Sequence, residues 1–339
     1  MGHDGRVNVP TPQRWTDAGW RADALEWSMR ALDRHGLAVK AWTQPHVRPW
    51  STVLRLETDT GPVWLKANND GTRTEAALLA ALAHLDVPHT PRPLAVDPAL
   101  GLTLLPDGGD TCRAHHGGRT PIEGREQLLV AYAQVQRATE PHTADLLATG
   151  VDDVRPGRMP QILRGLLDEL EGAADGLDAT AAARLRAVAP AYADACAELA
   201  EAGVAPALQH DDLHDNNVFH EGLVVFDWGD AVVGHPFGTL LTALRSIAHH
   251  HELASDDPVL QRLADSYLEA WTDVAELATL RRQAQLAIRI GPITRALAWR
   301  RALAGCDDAS RAEWGSYPAE WLEEIDAGDL PLAPARLNP

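Results

Sequence analysis

The densest run of polar side chains is His210-Asp211-Asp212-Leu213-His214-Asp215-Asn216-Asn217, and Asp227 stands ten residues past Asn217, closing the apolar stretch Val224-Val225-Phe226. Carboxylate and amide oxygens are hard ligands suited to Mg²⁺. Phosphoryl transfer needs a metal held by such ligands and a further carboxylate at the attacking hydroxyl. Asn217 and Asp227 fit the first need, and Asp212 is left for the second. Asp227 ends a strand-like run, which would hold it rigidly. The same stretch admits another chemistry, in which His210, Asp212 and His214 bind a catalytic metal as in a hydrolase. That reading finds no further His or Cys ligand clearly placed and leaves Asp227 and Lys66 unused.

Lys66 lies in Val63-Trp64-Leu65-Lys66-Ala67, a run that reads as a strand. Glu75 lies on the helix that follows, three, four and seven residues before Leu78, Leu79 and Leu82, and so shares their apolar face. A carboxylate on a buried stripe needs a partner, and Lys66 is the nearest candidate in chain order. Taken singly, Lys66 reads as a solvated strand lysine and Glu75 as a charge favoured at a helix N-terminus.

The elements that must position these residues follow from periodicity. Residues 37–43, 52–58 and 62–67 read as strands, the last two joined as a hairpin by Asp59-Thr60-Gly61. A helix is expected over 72–85, a strand over 101–105, and a flexible crossover at Asp107-Gly108-Gly109. Helices are expected over 125–138, 162–174, and through Leu185, Val188, Tyr192, Ala195 and Leu199 with a kink at Pro190. Two short strands flank Glu221-Gly222, and helices resume over 238–251, 258–273 and 280–303. The expected fold class is α+β and bilobed. A loose tail spans 1–15, a strand-rich nucleotide-binding lobe with one helix spans 16–108, a helical lobe spans 109–328, and a Pro-rich tail spans 329–339.

His-x-Asp-x-x-x-x-Asn, met by His210, Asp212 and Asn217 and followed by strand-Asp-Trp-Gly at Asp227, resembles the protein-kinase-like fold. The resemblance is closest to the aminoglycoside phosphotransferase and choline kinase families, whose flavour the added His214 carries. It implies a small-molecule kinase using ATP or GTP and Mg²⁺. Asp212 is then the catalytic base, Asn217 and Asp227 bind the metal, His210 supports the loop, and Lys66, held by Glu75, binds the triphosphate. A nucleotide-binding pseudokinase is a further reading, which the presence of all four polar roles argues against. The chain departs from the family in three places. The phosphate-covering loop falls at 44–52 and has no glycine, leaving Ser51 or Arg48 to meet phosphate; Asp211 stands where Gly is usual; and His235-Pro236-Phe237 replaces the usual Asp-Leu-Ala. These mark a divergent branch.

Formal net charge is −18. An acidic chain repels nucleic acid and anionic membrane, so neither is an expected partner. The expected partner is a small hydroxylated acceptor, with the protein a monomer or homodimer. Three scattered cysteines and the absence of a secretion signal point to a reducing cytoplasm. The charge, together with Glu313, Glu320, Glu323, Glu324, Asp326 and Asp329 around Trp314 and Trp321, suggests a cationic acceptor: an aminoglycoside, amino sugar or amino alcohol. His249-His250-His251 and His115-His116 read as polar helix ends, because adjacent helical residues point apart.

Overall fold

The computed structural model describes residues 9–328 and 330–333. Its first lobe opens with helices α1 (Gln13–Thr16) and α2 (Ala18–Asp33), then strands β1 (Val39–Val47), β2 (Ser51–Thr58) and β3 (Pro62–Asn68), helix α3 (Thr74–His84), and strands β4 (Ala95–Asp97) and β5 (Leu102–Pro106). The strands form one antiparallel sheet in the order β1-β2-β3-β5-β4.

Alternation decides which face each strand residue takes. Val63, Leu65 and Ala67 of β3 are buried with Leu54 and Leu56 of β2 beneath α1 and α2, in a core that includes Trp15, Ala31 and Leu32. Lys66, between Leu65 and Ala67, therefore points to the opposite face. The α2 helix was not expected from the sequence. Its buried positions are Ala24, Ser28, Ala31 and Leu32, so small and polar residues blunt the apolar stripe. Asp17 caps it by accepting from the Trp20 amide at 2.8 Å. Part of the expected tail is thus built into the lobe: Trp15 is fully buried and the Thr11 amide donates to the Gly305 carbonyl at 3.1 Å. Residues 1–8 of that tail lie outside the described residues, as do 329 and 334–339 of the expected C-terminal tail; Leu330 between them is buried.

Leu78, Leu79 and Leu82 of α3 do not join the sheet's core. They pack into the core of the second lobe with Trp228, where each contributes roughly 2 kcal/mol by burial. This helix thus spans the junction between lobes.

The second lobe contains α4 (Cys112–His115), α5 (Ile122–Thr139), α6 (Thr143–Ala148), β6 (Asp152–Val154), α7 (Met159–Leu170), α8 (Ala179–Ala200), β7 (Ala207–Gln209), β8 (Val218–Phe219), β9 (Val224–Val225), β10 (Val232–Gly234), α9 (Leu240–His251), α10 (Pro258–Leu268), α11 (Leu277–Ile290), α12 (Pro292–Ala302), α13 (Asp308–Trp314) and α14 (Tyr317–Ala327). Three strands pair as β6-β10-β7, and β8 with β9 forms a small hairpin. Helix α8 holds Pro190 in its interior. One expectation differs. The helix expected over 280–303 is two helices meeting at Gly291, where Pro292 has no amide to continue the ladder and opens α12. Gly108 in the crossover allows close approach: a Cβ there would lie 2.3 Å from the Phe219 ring.

Candidate active site

The loop between β7 and β8 carries residues 210–217, and the β8–β9 hairpin delivers Asp227 beside it. His210 is fully buried. Its Nε2 lies 2.8 Å from the Phe226 carbonyl, and its amide donates to the Tyr132 hydroxyl at 2.7 Å. Burial lowers its pKa, outweighing the Phe226 contact. It supports the loop from below and does not face the cleft. His210, Asp212 and His214 do not form a converging set of metal ligands among the described residues, which removes the geometry the hydrolase reading required.

Asp212 stands at the surface of the loop. The Asn217 Nδ2 donates to its carbonyl at 3.1 Å and to its Oδ2 at 3.3 Å, while His214 Nε2 lies 3.5 Å from that Oδ2. On the other side, Arg295 of α12 brings Nη2 to 3.6 Å from Asp212 Oδ1 and Nη1 to 2.9 Å from Asp230 Oδ2. Burial favours protonation of Asp212, but Arg295 foremost, then His214 and His210, outweigh it and hold the carboxyl well below the usual carboxylate range.

Lys66 Nζ lies 2.6 Å from Glu75 Oε2 and also pairs with Asp227 Oδ1. Burial opposes its charge, yet Asp227 and Glu75 outweigh that and raise its pKa above the usual lysine range. Glu75 is almost wholly buried and has two further donors: Asn68 Nδ2 at 2.6 Å and the Trp228 amide at 2.9 Å. Its carboxylate therefore ties α3 to β3 and to the residue just past Asp227. Asp227 has left-handed backbone geometry, φ 65°, which an aspartate tolerates better than most residues. Burial would raise its pKa, but Lys66 lowers it further.

Metal-ligating capacity remains at this point. Asn217 uses its amide nitrogen toward Asp212, and Asp227 uses Oδ1 toward Lys66. The Asn217 Oδ1 and Asp227 Oδ2 have no hydrogen-bond donor among the described residues, so two hard oxygens are available to a Mg²⁺-like ion.

Lys66, Asp212 and Asp227 share a cleft of about 110 Å³, whose lining also includes Ser51, Asp230 and Arg295. Trp50 and Trp299 form aromatic walls of the same cleft. The cleft brings together a buried-anchored cation, the free Asp227 oxygen and an ionised carboxylate, with Asn217 hydrogen-bonded to Asp212 but outside the lining, groups that a phosphoryl-transfer centre can use. Residues 42–277 match the model of the phosphotransferase enzyme family.

The chain belongs to that family.

As a member it is a small-molecule kinase. No curated protein sequence matches the chain. Among solved structures it is similar to a macrolide 2'-phosphotransferase from Brachybacterium faecium, at 18% identity and TM-score 0.55, over 87% of this chain and 98% of that one. It is similar to an ethanolamine kinase from Plasmodium vivax, at 11% identity and TM-score 0.61, over 91% and 89%. It is also similar to a choline/ethanolamine kinase family protein from Mesorhizobium loti, at 17% identity and TM-score 0.56, over 90% and 95%. At these identities the likeness is one of fold.

The phosphotransferase site differs from the sequence reading at its rims. The expected loop over 44–52 is mostly strand, with a turn only at 48–50. Ser51 lines the cleft, whereas Arg48 is exposed and is not part of the lining. Trp50 fills the turn and packs edge-on against Trp299 at 5.6 Å and Trp314 at 5.7 Å. The acids late in the chain do not line the cleft. Glu320, Glu323, Glu324 and Asp326 border a separate depression with Arg184, and Arg184 and Arg245 pair with three of them. Asp329 lies outside the described residues. The Trp321 ring is already covered by the guanidinium groups of Arg245 and Arg295. Sequence reasoning missed Asn68, Asp230 and Arg295. Arg295 had a weak signal, as a cation in an otherwise apolar run, Gly291-Pro292-Ile293-Thr294-Arg295-Ala296-Leu297-Ala298.

Proposed function

We propose that this phosphotransferase moves the γ-phosphoryl group of ATP or GTP, with Mg²⁺, onto a hydroxyl of a small cationic acceptor: an aminoglycoside, amino sugar or amino alcohol. The observation that carries the reading is the convergence of Lys66, Asp227 and Asp212 on one cleft from separate elements. Lys66, fixed by Glu75, meets the triphosphate, and Ser51, in the cleft lining, is a second group for it. Asn217 and Asp227 hold the metal through their free oxygens. Bound there, Mg²⁺ supplies positive charge against the phosphate oxygens. Asp212, kept ionised by Arg295 and His214, orients the acceptor hydroxyl and takes its proton as the new P–O bond forms and the bond from the γ-phosphorus to the bridging oxygen breaks, releasing the nucleoside diphosphate. Such a carboxylate is a weak base, which suffices because positioning and charge dominate this reaction.

The Asp230 carboxylate and the faces of Trp50 and Trp299 are the cleft groups suited to an ammonium-bearing acceptor. A cytoplasmic setting belongs to the same proposal, supported by three free cysteines; no helix among the described residues is long and apolar enough to cross a membrane.

The test is nucleotide consumption against a panel of hydroxylated amines and neutral analogues, with product mass measured. Activity should require Mg²⁺ or Mn²⁺ and survive a zinc-selective chelator. Asp212→Asn should keep nucleotide binding and lose about 10²–10⁴-fold in kcat. Near-normal turnover by the folded variant would sink the assignment of Asp212. For the acceptor, KM should rise with salt; a best acceptor that is neutral, with a KM indifferent to salt, overturns the cationic class alone.

A further inference from the structure

His115 and His116 were expected as a polar helix end. The structure adds a third imidazole from a distant segment. His220, at the end of β8, brings a ring nitrogen into a group in which the ligand atoms of His115, His116 and His220 all lie within 4.8 Å of one another. The expectation that neighbours diverge does not apply here, because His115 is the last residue of α4 and His116 lies past its end, with φ −94° and ψ 19°.

The backbone beneath the three rings is fixed. The His220 amide donates to the Asp110 carbonyl at 2.9 Å, and Thr111 bridges Phe219. The rings themselves are free to ligate. Those of His89, His250 and His251 are each committed to backbone carbonyls. No ring nitrogen of His115, His116 or His220 has a hydrogen-bond partner among the described residues. His115 and His116 are exposed and His220 is half-buried, so an ion can enter from solvent. His115 stacks on His220 at 3.5 Å and 11°, and His116 stands edge-on to both.

We propose that His115, His116 and His220 form a surface site for a borderline transition-metal ion of the Zn²⁺ class, separate from the catalytic Mg²⁺ site. Three neutral imidazoles and an open position for water are a recurrent zinc set, with Zn–N distances of about 2.0–2.1 Å. Tetrahedral angles then bring the nitrogens to about 3.3 Å from one another. The closure from the present spacing is a rotation of side chains, in which the exposed His115 ring turns out of its stack on the half-buried His220. Hard ions such as Mg²⁺ do not compete for nitrogen ligands. The bound ion joins the end of α4, which follows the crossover at 107–111, to the turn between β8 and β9, and so staples the second-lobe end of the crossover to the strand pair that lies between Asn217 and Asp227.

The test uses the full chain, stripped with a chelator and titrated with Zn²⁺ against a chromophoric competitor in excess Mg²⁺. The wild type is expected to bind one equivalent, and His220→Ala and the His115→Ala/His116→Ala double variant to bind at least tenfold more weakly. The His249→Ala/His250→Ala variant, which changes two histidines away from the cluster, serves as the control and should leave binding unchanged. Hydrogen exchange over 107–116 should slow with Zn²⁺ in the wild type and not in His220→Ala. Absence of saturable one-to-one binding, or binding that persists in either site variant, overturns the site; exchange unaltered by bound Zn²⁺ overturns the staple.

Discussion

Asp211 occupies a backbone position with φ 61°, the left-handed region that glycine enters most freely. That explains why the residue after His210 is usually glycine in the resembling families. Here the aspartate is stabilised in the same geometry by its side chain, whose Oδ1 accepts from Gln209 Nε2 at 2.7 Å and Thr294 Oγ1 at 2.6 Å. Its Oδ2 has Arg295 at 3.8 Å and no hydrogen bond. Burial raises the Asp211 pKa to about 6, against the opposing pull of Arg295. The native state therefore holds the proton more tightly than the unfolded chain. The resulting contribution to stability is present below pH 3.8 and lost as pH rises to about 6. Asp211→Asn removes the titrating group, so its stability relative to wild type should improve by up to about 3 kcal/mol over that window and then level off. Paired denaturant melts across pH would check this; a difference independent of pH would mean that Asp211 does not titrate in the native state. At Lys66 and Glu75 the expectation concerns coupling. Breaking a buried pair leaves one charge uncompensated, at a cost of about 3–5 kcal/mol. Lys66→Ala and Glu75→Ala should be strongly non-additive in nucleotide affinity, and Glu75→Ala should also cost stability, because Asn68 and the Trp228 amide lose their acceptor. Strictly additive effects would mean the pair carries no coupling. The chemistry-bearing residues of the centre were legible because their types and order are rare in combination. Arg295 was not, since a cation on a buried helix face is recognised only through the carboxylates that meet it in space.

At the level of elements, what the sequence revealed follows burial pattern. Strands β2 and β3 alternate cleanly and α3 has a leucine stripe, so their positions were read to within two residues. Helix α2 escaped because alanine and serine fill its buried face. The contacts of the loop between β3 and α3 were also out of reach. Asn69 Nδ2 donates to the carbonyls of Ala302 at 2.8 Å and Ala304 at 3.0 Å, and Gly71 sits so close that a Cβ would lie 2.0 Å from the Arg301 carbonyl oxygen. No local signal marks a glycine required by a backbone more than two hundred residues away. Gly71→Ala must therefore displace one of two backbones. It should destabilise the fold by about 1–3 kcal/mol, read as a lower denaturant midpoint at unchanged slope. An unaltered midpoint would mean that the two segments separate freely in solution.

Across the whole molecule, many acidic residues of the second lobe are paired with arginines, such as Asp265 with Arg281 and Glu198 with Arg282, and the net charge of −18 is carried by the acids in excess of the bases. Exposed pairs of this kind contribute little stability each, so the charge bears on solubility and approach of ligands more than on the fold. The contacts between lobes have a larger effect. The lobes are connected covalently through the crossover at 107–111. Helix α3 joins them again through its leucines and Glu75, and a further join lies where Thr11 meets Gly305, Asn69 meets 302–304, and Trp50 meets Trp299 and Trp314. A structure joined once is a jaw and opens by rotation at its single hinge. One joined at several places is a loop, and its interior is reached only by unfastening a join or through the gaps at its sides. The join that borders the cleft is a latch of tryptophans seated where related folds are expected to carry a supple turn. Traffic into and out of the cleft is then set by how often that latch lifts, and Trp50→Ala should quicken both hydrogen exchange at residues 48–52 and the departure of bound nucleotide. For this phosphotransferase a kcat that rises in Trp50→Ala would mark the door, and an unchanged kcat the chemistry behind it, as the slower step.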